Sequence, residues 1–173
     1  MIRFHQAVQS LLVDVDTLRP DTRNANNGDI DAIMQSVQVN GCYRPIYAAD
    51  DGTIVAGHHL YAALIQLGAT QVPVQTVEGD FETRTRILLG DNEIARLAWT
   101  DEALLLDLLN SLTETDLRYE GTGFTEERVD LLRLAQVEGG GFAVPEAGTD
   151  PLPHQCPNCG HTWFGSCAGE TRD

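Results

Sequence analysis

Ile30, Ile33, Met34 and Val37 repeat at i, i+3, i+4 and i+7, which marks one apolar face of an amphipathic helix. Asp29 directly ahead of them suits an N-cap, and Asn40-Gly41 closes the helix. Residues 44–49 and 53–56 are two short apolar runs flanking Asp50-Asp51-Gly52, a β-hairpin signal. A helix follows at once, with Leu60, Ala63, Leu64 and Leu67 sharing a face and Gly68 ending it. Upstream, Leu12-Val13-Asp14-Val15 reads as a short strand running into the turn signal Arg19-Pro20-Asp21. The stretch 22–28 is polar and made of turn-forming residues. Residues 72–77 predict another strand, with Pro73 pointing to an edge position or to the strand's beginning. Beyond them the period is helical throughout. One helix runs from near Phe81 through Ile87, Leu88, Ile94 and Ala98. A second starts near Asp101 and carries Leu104, Leu105, Leu108, Leu109 and Leu112 on its face. A third starts near Thr125 and carries Val129 and Leu132.

Composition divides the chain in the same places. Residues 1–79 carry 8 acids and 4 arginines and form the α+β core; residues 80–136 carry 13 acids and 6 arginines and form a helical extension. Residues 137–153 are a linker containing three consecutive glycines, which leave the backbone too free to hold fixed structure. Residues 154–173 form a cysteine-bearing tail. The 173 residues carry a net charge of −15, and every basic residue is Arg. An all-over basic surface coating phosphate backbones is therefore excluded, so nucleic-acid contact must be local. Without lysine, Schiff-base chemistry and phosphate-loop lysines are excluded outright. No stretch approaches the ~20 apolar residues needed to span a bilayer, and the first residues lack the pattern of a secretory signal. The expected location is the cytoplasm, with no membrane partner.

The junction from Ile54 to Ala63 is the most informative segment. A buried strand feeds through Gly57 directly into a helix whose first turn carries His58 and His59. Gly57 permits the sharp turn, and the helix start presents unpaired N–H groups at its positive dipole end. This makes a pocket for a phosphate or nucleotide; the plainer alternative is two polar residues at an ordinary helix start.

Three blocks then set the family expectation. The first holds Arg23-Asn24, residues 28–33, Ser36 and residues 40–46. The second holds residues 52–59, Ala62-Ala63 and residues 67–74. The third is Arg86-Ile87-Leu88-Leu89-Gly90-Asp91-Asn92. In this order, over about half of the chain, they resemble the ParB/sulfiredoxin-like superfamily, specifically the ParB-like nuclease domain in the short proteins of actinobacteriophages. The resemblance implies an α+β fold with a small mixed sheet and packed helices. It implies that Gly57, His58 and His59 hold phosphates, that Asp91 and Asn92 hold Mg²⁺ beside them, and that Arg23 and Arg44 supply bidentate donors. It also implies phosphoester or phosphoanhydride hydrolysis, with His59 and Asp91 as catalytic candidates. The alternatives are a non-catalytic DNA-associated or protein-binding adaptor and an ATP-dependent phosphotransferase. Asp91-Asn92 also reads as a solvated helical turn.

The chain departs from this pattern in one important place. Family members carry an Arg in the glycine-led box, where this sequence has His59-Leu60, and imidazole is a weaker phosphate clamp than guanidinium near pH 7. The position of the sulfiredoxin nucleophile is His58, which argues against sulfinic acid reduction. Cys42, between Gly41 and Tyr43, reads as a small apolar filler. The helices of 80–136 total −7, which disfavours duplex reading, and their leucines suit a core or a homodimer surface.

In the tail, Cys156 and Cys159 form a Cys-x-x-Cys turn of zinc-knuckle type, with Cys167 as third ligand and His161 or His154 as fourth. Two chains sharing one zinc ion through these thiols, redox thiols, and a disordered tail are the other readings.

Overall fold

The computed structural model describes residues 2–137, 154–155 and 162–163. The chain divides into two units, residues 1–133 and 134–173. In the first unit a single turn, α1 (Gln6–Gln9), leads into β1 (Leu12–Asp14). There follow α2 (Ile30–Asn40), the hairpin β2 (Ile46–Ala48) and β3 (Ile54–Ala56), α3 (His58–Gln66) and β4 (Gln71–Thr76). Three further helices follow: α4 (Phe81–Ile94), α5 (Glu102–Ser111) and α6 (Glu126–Val137).

The helix ends are set by local chemistry. Asp29, Asp80 and Asp101 each accept a backbone N–H at the start of α2, α4 and α5. Gly41 ends α2 at φ 78°, a conformation that costs a residue with a Cβ.

The sheet runs β1-β4-β2-β3. β1 and β4 are antiparallel, β4 and β2 parallel, and β2 and β3 antiparallel. A parallel pair needs a crossover, and α3 is on it. Pro73 therefore lies in an interior strand, not at an edge. Val74 donates its N–H to Leu11 on the β1 side, and Val77 donates to Ala48 on the β2 side. With period 2, the missing N–H of Pro73 faces β2, whose pairing begins only at Ile46 opposite Val74. The proline sits just ahead of the ladder it would interrupt, which is how an interior strand tolerates it.

Ile46, Ile54, Leu64 and Val72 are fully buried at the centre of the main core, joined by Val37, Cys42 and Leu60. Cys42 is thus a core side chain, and burial pushes its thiol pKa up. A second core gathers Leu106, Leu109, Tyr119 and Val129. The expected face of α5 holds in part, with Leu105, Leu109 and Leu112 packed in this core as read from the sequence. Leu106 and Leu109 turn inward because Tyr119 and Val129 approach that side, leaving Leu104 and Leu108 58% and 60% exposed.

In the second unit, β5 (His154–Gln155) pairs antiparallel with β6 (Thr162–Trp163). The expected zinc ligands Cys156, Cys159, His161 and Cys167 lie outside the described residues. No helix among the described residues is long and apolar enough to cross a membrane.

Candidate functional site

β3 is buried along its whole length and delivers the chain to Gly57, which caps α3 at φ 85°, ψ 24°. The Gly57 carbonyl accepts the N–H of Tyr61 at 2.9 Å. The N–H groups of His58, His59 and Leu60 therefore precede the first intrahelical bond and carry the partial positive charge of the helix start. They border a cleft of about 360 Å³ that also meets Arg44, Asp91, Asn92 and Arg96. α4 brings Asp91 and Asn92, the 3-10 turn that follows it (Ala95–Leu97) brings Arg96, and the segment entering β2 brings Arg44. An apolar cavity of about 200 Å³, lined in part by Val37, Cys42 and Tyr43, adjoins the cleft; the two share Ile33, Arg44 and Leu60.

The structure thus brings Arg44, Gly57, His58, His59, Asp91 and Asn92 together. It does not bring Arg23, which does not line the cleft. Arg23 instead pairs with Asp21, reaches Thr85 at 3.4 Å and lies 4.6 Å over the Phe81 ring at the start of α4. That pairing, chiefly the hydrogen bond from the guanidinium, lowers the Asp21 pKa from 3.8 to about 2. A carboxylate with a depressed folded-state pKa adds stability that is present above its unfolded value and lost as pH falls through the folded one. Asp21→Asn is therefore expected to make the acid limb of stability shallower between pH 3.8 and about 2. Urea unfolding at stepped pH measures this, and an acid limb identical to the parent's would contradict it.

Both histidines are engaged by the polar loop 21–28. His58 Nε2 accepts the N–H of Asp21 at 3.3 Å. Burial lowers the pKa of His58, opposed by the Asp21 and Asp91 carboxylates, which favours the neutral ring that this bond needs. His59 Nε2 lies 2.9 Å from the Gly28 nitrogen and 3.0 Å from the Asn26 carbonyl, and its tautomer decides which of the two it serves. Asn92 is similarly committed. It accepts from Asn26 at 3.1 Å and donates to Asn24 at 3.2 Å and to the Leu88 carbonyl at 3.0 Å.

Sequence reasoning missed Arg96, Asn24 and Asn26. Arg96 falls about one helical turn beyond Asn92, a spacing that could have found it. The asparagines looked like turn formers and gave no local sign of their distant partners. Among the described residues no group of three or more His, Cys, Asp or Glu side chains could hold a metal ion. The cleft offers one uncommitted carboxylate donor, Asp91.

No protein-family model matches the chain, and neither does any curated protein. Solved structures do. The C-terminally truncated chromosome-partitioning protein ParB from Caulobacter crescentus, complexed with CTP-gamma-S, is 16% identical. It covers 75% of this chain and 87% of its own, at a TM-score of 0.56. A Pnob8-like ParB-N domain is 13% identical over 61% of this chain and 49% of its own, with a TM-score of 0.44. Sulfiredoxin from Arabidopsis thaliana is 22% identical over 44% and 96%, with a TM-score of 0.37.

Proposed function

Starting from the ParB/sulfiredoxin-like fold of this chain, we propose that it binds a nucleoside phosphate, with the phosphates at the start of α3. What carries this reading is one cleft in which the N–H groups after Gly57 meet Arg44 and Arg96. The adjoining apolar cavity favours a nucleotide over the backbone of a nucleic acid, because it offers room for a base or sugar beside the anionic end. The net charge of −15 also disfavours a long polyanion. The fold neighbour from Caulobacter crescentus is complexed with CTP-gamma-S, which supports a nucleotide as the class of ligand.

Asp91 suits a Mg²⁺ ion arriving with the phosphates, since Mg²⁺ keeps several waters and takes one or two protein carboxylates. Such an ion would neutralise phosphate charge. Asn92 is spent on the 21–28 loop and on Leu88. Hydrolysis assisted by His59 would require its Nε2 to leave that loop, so the reading favours binding over turnover. The tail cysteines Cys156, Cys159 and Cys167, with His161, remain our proposed zinc ligands on their spacing, and metal analysis of the full chain tests them.

Titration calorimetry with CTP, ATP and GTP in Mg²⁺ tests the main reading. Arg44→Ala is expected to weaken the bound nucleotide by roughly 10- to 100-fold, the loss of about 1.5–3 kcal/mol from charge-assisted hydrogen bonds. No heat with any of the three nucleotides would remove the proposal. A second reading, self-association through α5, is favoured by the exposed Leu104 and Leu108, one turn apart. Sedimentation of the full chain as a monomer at all concentrations would dismiss it.

A further inference from the structure

The segment 21–28 contains no helix or strand, yet it is tied at both ends to two consecutive residues. Asp21, at one end, gives its N–H to His58; Gly28, at the other, is within hydrogen-bond reach of His59. Between them Asn24 and Asn26 both bond to Asn92 of α4. Adjacent side chains in a first helical turn project about 100° apart, so one dipeptide can reach two separated points on a neighbouring loop. Gly28 also lies directly on the His59 ring: a Cβ there would come within 2.9 Å of both Cγ and Nδ1. The φ of Gly28 is not in the left-handed region, so close approach to imidazole, not backbone conformation, is what requires glycine here.

We infer that His58 and His59 are positioning residues: their Nε2 atoms anchor the 21–28 strap that forms one wall of the cleft, while the main-chain N–H groups of α3 and Arg44 face the ligand. The inference rests on the phosphate-binding reading only for what the strap encloses; the anchoring belongs to the chain without ligand. It also gives His59 a role in the neighbourhood, His59-Leu60, where the resembled boxes carry arginine. A neutral imidazole nitrogen accepts a backbone N–H, whereas a guanidinium has no acceptor.

Hydrogen exchange of the full-length protein without nucleotide tests this. His59→Gln keeps an acceptor for Gly28 and a donor for Asn26 near the original Nε2, so protection of 21–28 is expected to stay near the parent's. His59→Ala removes whichever of the two bonds Nε2 makes to this segment and should raise exchange at Gly28 about tenfold or more, with the amides of Leu64 and Val72 unchanged. Gly28→Ala should loosen the same segment by pressing on the ring, and it stands in if His59→Ala fails to fold. Parent-like protection of 21–28 in a folded His59→Ala protein, or in Gly28→Ala when the other does not fold, would overturn the anchoring. Equal loss of protection in His59→Gln and His59→Ala would do so as well. Nucleotide titration of His59→Gln adds a readout that anchoring alone does not move. Parent-like affinity is expected, whereas lost affinity with an intact strap would put the imidazole on the ligand and overturn the positioning role. A parent that binds no nucleotide would end the proposed function and leave the exchange result to decide the anchoring.

Discussion

Gly52→Ala is expected to destabilise the protein by about 3–4 kcal/mol, among the largest effects of any single methyl group in this chain. Gly52 closes the β2–β3 turn at φ 80°, where a Cβ alone costs on the order of 1 kcal/mol. The new Cβ would also lie 2.1 Å from the carbonyl oxygen of Thr17. Main chain cannot swing aside as a long side chain does. The segment 17–19 would have to lift, with the bonds from Arg19 N–H to Gly52 and from Ile54 N–H to Arg19, both 2.9 Å. Each such bond contributes about 1 kcal/mol net. For a chain of this size the melting midpoint should fall by about 10 °C. Thermal and urea unfolding measure it; a midpoint equal to the parent's would mean that residues 17–19 do not lie against the turn.

Leu64→Ala should cost about 2–5 kcal/mol, the usual range for emptying a buried leucine site. Leu64 is completely buried on the inner face of α3, between the sheet and α2, and Leu60 and Ala63 extend that face. Because the same helix starts at the cleft, loosening its buried side should also weaken the proposed nucleotide binding in whatever fraction stays folded. Leu89→Ala is the control. Its side chain is 62% exposed, so a change within about 0.5 kcal/mol is expected. Equal losses in the two variants would contradict this account of the core.

The elements that could be read in advance are those whose cause is local. Asp29 caps α2 and Asp101 caps α5 within three residues of themselves. Asp50-Asp51-Gly52 turns the hairpin, and Gly57 turns β3 into α3 within one residue. The candidate site was legible to the same depth: glycine, the histidine pair, Arg44 and Asp91 were recognisable, and they do share one cleft. The role of Arg23 was not legible. Its partners Asp21 and Thr85 lie 2 and 62 residues away, and periodicity does not register either. The inward turn of Leu106 in place of Leu104 and Leu108 was equally hidden, because nearly every candidate position on α5 is leucine and only the arrival of Tyr119 and Val129 chooses among them.

Order along the chain, the helix starts at Asp29 and Asp101 and the turn that opens the cleft therefore follow from residue types and their nearest neighbours, whereas the helix expected to reach Ala98 ends at Ile94. The placement of β4 between β1 and β2, and the grip of His58 and His59 on a loop 37 and 31 residues upstream, belong to the folded molecule alone. The reason is physical. A cap or a turn is satisfied within a few bonds of its own backbone. Which distant amide meets an imidazole nitrogen depends on how the sheet and helices pack, and no short stretch of sequence contains that information.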